Sequence, residues 1–263
     1  MLKRSILVAA IVAAAASILV QAASATHTAK TFVFCSDISY PPEEMVLNGK
    51  TTGSDIDIGT EVAKRLGMSV RFENTGFDGI VAALLSNKCD AIISGMNDTP
   101  QRRKSIAFVD YLSVGQSLIG MKGNPLKINT PLDVCGLAAG AQVATTNLDT
   151  LTKFDKQCKA KGKKGIKIVP FKEDPLGVTA LATGHIDVYE SDSPPAVWYT
   201  TKDKSLQIVG KTITPQPVGI GLNLKNTALK AQIQAAVNAI YKDGTMAKIL
   251  KKWDMAPFAL KGK

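Results

Sequence analysis

Apolar residues in this chain change period repeatedly, and each change marks a predicted element. TFVFCS (Thr31 to Ser36) is a short apolar run of strand length. In DIDIGTEVAKRLG, Ile58, Val62 and Leu66 recur every four residues and Gly67 supplies a stop, the signature of an amphipathic helix. SVRFE (Ser69 to Glu73) predicts a strand, FDGIVAALLSN a helix burying Ile80, Val81, Leu84 and Leu85, and DAIIS (Asp90 to Ser94) a third strand. The β-α-β-α-β order argues for a parallel sheet with helices on both faces.

The period is lost at YLSVGQSLIGMKG, an extended stretch that predicts a crossing between lobes. A second β/α set follows: the Gly136 to Val143 region, a Leu148 to Lys159 helix, IKIVPF, a Val178 to Thr183 helix, IDVYES and LQIVG. VGIGLNL (Val218 to Leu224) is extended again. Two helices close the chain, one burying Leu229, Ile233, Val237, Ile240 and Tyr241, the other Met246, Ile249, Leu250 and Trp253. The expected class is α/β with two lobes, each a mainly parallel sheet flanked by helices, and a cleft between them. The boundaries are residues 26–113 for lobe 1, 114–218 for lobe 2 and 219–263 for a return to lobe 1, with hinges near Leu112 to Gln116 and Thr214 to Val218.

The start of the chain changes the picture. Lys3 and Arg4, the apolar run Ser5 to Val20 and an Ala-x-Ala end at Ala23 and Ala25 read as a secretory leader over residues 1–25. An exported chain permits disulfides. Cys135 and Cys158 are the expected pair, closing a loop worth roughly 3 kcal/mol in the chain-entropy model. Cys35 ends one predicted strand and Cys89 begins another. On parallel neighbours those positions are far apart, which weighs against a bond and leaves it open. The formal charge of +10 falls to +8 without the leader. The lysines are scattered, and the densest run, KAKGKKGIK at Lys159 to Lys167, reads as a solvated loop, so nucleic acid is not an expected partner. With only His27 and His185 and no CxxC, neither metal nor cofactor is expected.

In open α/β sheets, ligands sit beyond the C-terminal ends of strands. Polar and aromatic residues collect at those places: SDISYPPEE with Asp37 and Tyr40, TGFDG with Phe77, SGMNDTPQRR with Ser94, ATTN with Thr146, and Ser191-Asp192. If a helix starts at Thr99-Pro100, Arg102 and Arg103 stand in its first turn, where the dipole disfavours cations by a few tenths of a kcal/mol.

Four stretches in order resemble the periplasmic polar-amino-acid-binding proteins of ABC importers: GSDIDIGTEVAKRLG, FDGIVAALLSNKCDAIISGM, DTPQRRKSIAFVDY and KDGTMAKILKKW. The resemblance spans about Phe32 to Trp253 and implies the type II periplasmic-binding-protein fold. It also implies roles. Arg102 falls on the arginine that grips the ligand α-carboxylate, a bidentate task lysine cannot copy. Arg103 and Lys104 are left as solvated charges. Ser94, Gly95 and Asn97 fall where the family supplies polar groups to the ligand. Thr146 falls on a threonine at a helix N-terminus, where free N–H groups favour an anion. The family glycine before that threonine pair is Ala144 here, or else Gly140, which moves the role to Gln142; the spacing from Arg102 favours Thr146. Asp192 falls on the aspartate that binds the α-ammonium, against a plain reading as a helix N-cap before Pro194. Tyr40 and Phe77 fall on the aromatics around the ligand side chain, and Asp37 near its far end. Asp55 and Asp57 are given no ligand role, since acids in a first helical turn are favourable on their own account.

The resemblance implies a periplasmic monomer that binds an amino acid and serves an inner-membrane ABC permease. Two other readings compete: a carrier for an opine or compatible solute, and a periplasmic dehydratase using Glu190 or Glu43 as general acid.

Overall fold

The computed structural model describes residues 30–262; the expected leader, residues 1–25, lies outside them. From there the chain forms β1 (Thr31–Ser36), a hairpin of β2 (Met45–Leu47) and β3 (Lys50–Thr52), α1 (Ser54–Arg65), β4 (Ser69–Asn74), α2 (Ile80–Leu85) and β5 (Ala91–Ile92). A long strand, β6 (Ile106–Met121), leads into β7 (Ala138–Gln142), α3 (Thr146–Ala160), β8 (Lys167–Phe171), α4 (Asp174–Ala182), β9 (Val188–Asp192) and α5 (Ser193–Lys202). A second long strand, β10 (Leu206–Asn223), returns to α6 (Thr227–Lys242) and α7 (Thr245–Lys252).

Eight strands lie in the order β4-β1-β5-β10-β6-β9-β7-β8. β1 is parallel to β4 and β5, and β7 is parallel to β8 and β9. The antiparallel pair β10 and β6 joins these two halves. Each half covers its own core. Phe34, Ile58, Val62, Val109, Ile220 and Val237 pack together in the first. Leu118, Leu151, Phe154, Val188 and Val209 do so in the second. Every such side chain, fully buried, is worth about 1.5–3 kcal/mol. β6 therefore leaves one core after Val114 and enters the other by Leu118. There the pairing of β6 with β10 slips, with shifts between Val209 and Ile213, Ile213 and Gln216, and Val218 and Gly219. The chain is two lobes on one sheet, connected by two strands whose ladder is irregular at the join.

One local expectation is corrected, one element was missed, and one open question is answered. Thr99-Pro100 does not start an α-helix: Arg102–Lys104 form a single 3-10 turn, too short to carry the dipole that was set against the arginines. α5 was not read as an element, although its paired prolines at the first turn are a start signal. Cys35 and Cys89 are bonded, as are Cys135 and Cys158, with Cα atoms 5.6 Å apart in both. The parallel-strand argument failed because Cys89 is not in the ladder. Asp90 is tied to Val33 through Asp90 N to Val33 O (2.8 Å) and Val33 N to Asp90 Oδ2 (2.8 Å). The bend at Cys89 thus stands two residues short of Cys35, in the same apolar cluster.

Candidate ligand-binding site

The strand ends meet at the junction of the lobes and line a narrow cavity there. Lobe 1 lines it with Asp37 and Tyr40 after β1, Phe77 before α2, and Ser94, Gly95 and Asn97 after β5. Lobe 2 contributes Gln142 at the end of β7, Thr145 and Asn147 at the start of α3, and Asp192 at the end of β9. Seven of the nine residues read from the sequence line this space. The other two, Arg102 and Thr146, stand together in the adjoining open part of the cleft beside Ala144 and Asp149.

Arg102 spans the lobes. Its Nη1 donates to Asn97 O (2.9 Å) and its Nη2 to Ala144 O (3.1 Å), while its Cζ lies 5.3 Å from the Phe77 ring centroid. Burial lowers its pKa, and Asp192 and Asp149 oppose that shift. Arg103 behaves differently, and its reading as a solvated charge is corrected. Its side chain is 60% exposed, but it grips Asp98, whose side chain is fully buried, through Nε to Oδ1 (2.6 Å) and Nη2 to Oδ2.

Asp192 occupies the N-cap position of α5 yet makes no capping bond. Its Oδ1 accepts from Asn147 Nδ2 (3.1 Å), and its backbone N–H donates to Tyr40 Oη (3.3 Å). Burial pushes its pKa up to about 7, with Asn147 and Arg102 pulling the other way. Asp37 is raised by burial too. It accepts from Ser39 Oγ (2.8 Å), Gln142 Nε2 (2.7 Å) and the Phe77 N–H (3.2 Å). Across the cleft, Thr146 Oγ1 donates to Asn97 Oδ1 (2.7 Å). Thr145 carries the cap of α3 itself, accepting from Leu148 N (3.2 Å), which leaves the Thr146 hydroxyl turned to the other lobe.

The two candidates for the turn before α3 separate clearly. Ala144 has φ +60°, the left-handed region where a glycine would suit. Gly140 sits inside β7, where a Cβ would fall 2.6 Å from the Phe171 ring and 2.7 Å from Ile186, so it is a packing glycine. Gln142 nevertheless lines the cavity through its contact with Asp37.

Behind the lobe 1 wall lies a layer not read from the sequence. Gly95 has φ +51°, and a Cβ there would come within 3.0 Å of the Tyr40 ring. Its N–H donates to Asp55 Oδ2 (2.8 Å), which also accepts from Tyr111 Oη (2.5 Å). Ser94 Oγ accepts from Asp37 N (2.9 Å) and donates to Glu44 Oε1 (2.7 Å). Burial raises Asp55 to about 6 and Glu44 well above its ordinary value, with the Asp55 charge adding to the rise at Glu44. Glu44 Oε2 and Asp55 Oδ1 are buried without a hydrogen-bond partner among the described residues, and the raised pKa values favour the protonated, neutral forms that such burial requires. Asp55 is therefore more than a helix-start residue: it fixes the backbone that forms one wall. The signal for it was weak, since acids are common in first turns. Asn147 was also missed, though it falls on the same face of α3 as Leu151 and Phe154, and a polar residue on an apolar stripe is a legible cue.

Glu43 and Glu190 are buried outside the cavity lining, both raised well above the usual carboxylate range by burial. Among the described residues no group of three or more His, Cys, Asp or Glu is placed to hold a metal ion. The arrangement can hold an anion beside Arg102 and cations beside Asp192 and Asp37, with aromatic walls between.

Residues 32–256 match the family described as bacterial extracellular solute-binding proteins, family 3. ABC transporter arginine-binding protein 1 of Escherichia coli (strain K12) is 28% identical over 221 residues, covering 82% of this chain and 87% of that relative. An ancestral arginine-binding protein solved with arginine is 32% identical, with a TM-score of 0.80 over 86% of this chain and 99% of its own. An ancestral amino acid-binding protein, AncCDT-1, a precursor of cyclohexadienyl dehydratase, is 30% identical, with a TM-score of 0.78 over 85% of this chain and 95% of its own.

Proposed function

Because the chain belongs to the family 3 bacterial extracellular solute-binding proteins, we propose that it is the periplasmic amino-acid-binding component of an ABC importer. It closes its lobes on a polar amino acid with a basic side chain, or an amide one as second choice, and presents it as a monomer to a membrane permease. Arg102 takes the α-carboxylate with the part of its fork not used by Asn97 and Ala144, assisted by Thr146 at the start of α3. Asp192 takes the α-ammonium. Tyr40 and Phe77 flank the side chain, and Asp37 meets its far end.

The observation that carries this reading is the carboxylate of Asp192. It stands where a helix cap would be and is turned instead into the cavity. Charge supports the basic side chain. Asp37 and Asp192 line the cavity, with Arg102 as the cation beside it. A zwitterion leaves one acid unanswered, whereas a ligand of net charge +1 answers both, and buried charges need partners. The arginine-binding relatives agree in kind.

Calorimetry with arginine, lysine, glutamine and glutamate is the direct test. Binding of a basic amino acid that is lost in Arg102→Ala and Asp192→Ala supports the reading; binding that survives both changes overturns it. A thermal-shift screen that includes opines separates the solute-carrier alternative, since a hundredfold excess over Kd stabilises by ~2.7 kcal/mol. The dehydratase alternative needs an acid facing the ligand, and Glu43 and Glu190 are not among the cavity-lining residues. An assay for substrate turnover excludes or revives it.

A further inference from the structure

Seven of the lysines occupy fifteen residues. Lys153, Lys156 and Lys159 lie on α3, Lys161, Lys163 and Lys164 on the loop to β8, and Lys167 at the first position of β8, all exposed. With Asp155 as the one acid, residues 153–167 carry +6 of the +8 net charge of residues 26–263. The charge of the chain is thus concentrated, not spread. It is also held rigidly. Cys158 is bonded to Cys135, and Leu151 and Phe154 are in the lobe 2 core. Asp155 Oδ1 accepts from Ile166 N (2.9 Å), and Lys163 N donates to Cys158 O (2.9 Å). α3 begins at the cleft with Thr146; Lys153 still borders the open part of the cleft, but at 1.5 Å per residue the lysines from Lys159 onward crowd the end roughly 20 Å away from it.

We propose that this face of lobe 2 docks the protein on the headgroups of an anionic phospholipid bilayer. Each lysine close to such a surface strengthens binding by about fivefold, so a handful acting together gives a salt-sensitive peripheral attachment. Two disulfides point to an oxidising compartment, where a membrane surface is at hand and nucleic acid is not the expected polyanion. Phe154, the aromatic residue in the segment, is buried, so there is no stacking platform for bases. No helix of the described residues is long and apolar enough to cross a membrane, so the attachment is electrostatic. From Lys159 onward the patch lies away from the cleft, and docking there leaves ligand entry free.

The test is co-sedimentation of the purified protein with vesicles of about one-third phosphatidylglycerol in phosphatidylcholine, against pure phosphatidylcholine. Binding to the anionic vesicles alone, lost at about 1 M salt where the Debye length is ~3 Å, is expected. The variant Lys156→Gln/Lys161→Gln/Lys163→Gln/Lys164→Gln should bind tenfold or more weakly. A variant with Lys225→Gln, Lys242→Gln, Lys248→Gln and Lys251→Gln removes the same charge from lobe 1 and should bind as the parent does. Equal losses in both variants overturn the proposal in favour of a net-charge effect. Retention on heparin or DNA without vesicle binding overturns it in favour of a polymer partner. Unchanged thermal melting of the patch variant shows that any loss is not unfolding.

Discussion

Two neighbouring arginines end up with different work. Arg102 faces the junction of the lobes and uses two N–H groups on carbonyl oxygens, while Arg103 neutralises the buried Asp98. Removing a buried, hydrogen-bonded charge partner typically forfeits 2–5 kcal/mol. Calorimetry on Arg102→Ala and Arg102→Lys should therefore show ligand affinity lost or reduced by at least a hundredfold. Arg103→Ala should keep affinity within a few-fold but melt earlier, by about 1–3 kcal/mol, because Asp98 is left buried without its partner. Equal affinity losses at both arginines would sink the distinction. The Asp55 pair makes a second residue-scale prediction. Asp55→Ala removes the acceptor of Gly95 N and Tyr111 Oη and should destabilise by about 2–4 kcal/mol in chemical denaturation. Asp55→Asn should lose much less, because its amide oxygen still accepts from Gly95 N and Tyr111 Oη without a buried charge.

At the scale of elements, the turn into α3 shows local strain kept for the sake of a site. Ala144 holds φ +60° so that its carbonyl meets Arg102 and the next two residues enter the helix as cap and first turn. A non-glycine residue there gives up about 1–2 kcal/mol, and glycine would return part of this to the unfolded chain as entropy. Ala144→Gly should raise the melting temperature, by a net gain of roughly 0.5–1 kcal/mol. A lower melting temperature would show that the strained φ is not the governing term. α5 gives the complementary case. Its N-cap side chain is withheld from the helix, and prolines in its first turn reduce the number of N–H groups needing a cap.

The molecule as a whole buries acids faster than it buries cations at the meeting of its lobes. Asp55 and Asp174 are raised to about 6 and Asp192 to about 7, all first by burial. Between the ordinary carboxylate value of about 4 and these values, the fold binds more protons than the unfolded chain. Stability must then fall as pH rises through that window, from about 4 to about 7. Thermal unfolding without ligand should show this decline between about pH 4 and 7; a rising or flat profile would contradict it. A ligand ammonium beside Asp192 favours its ionised form. Binding should accordingly release protons near pH 6 and tighten toward pH 7.5, which calorimetry in buffers of different ionisation enthalpy measures.

Periodicity alone carried the alternation of strands and helices, because apolar spacing is a local property that any folded arrangement must respect. Most residues of the candidate site were legible too, since parallel strands bring their C-terminal ends to one edge wherever the sheet forms. Motif resemblance set Arg102 apart from Arg103 but missed that Arg103 pairs with the buried Asp98. Three things were decided only in three dimensions. The Cys35–Cys89 bond depends on a bend at Asp90 that takes Cys89 out of the ladder. Gln142 reaches Asp37 only because one lobe lies against the other, and Asn147 reaches Asp192 only because α3 packs beside β9 within lobe 2. Asp55 acts only because the backbone of Gly95, forty residues on, comes within hydrogen-bond reach of its carboxylate. Sequence fixes what each residue can bond to; which partner arrives depends on contacts between segments remote in the chain, and those exist only once each lobe has folded and, for Gln142, once the lobes meet.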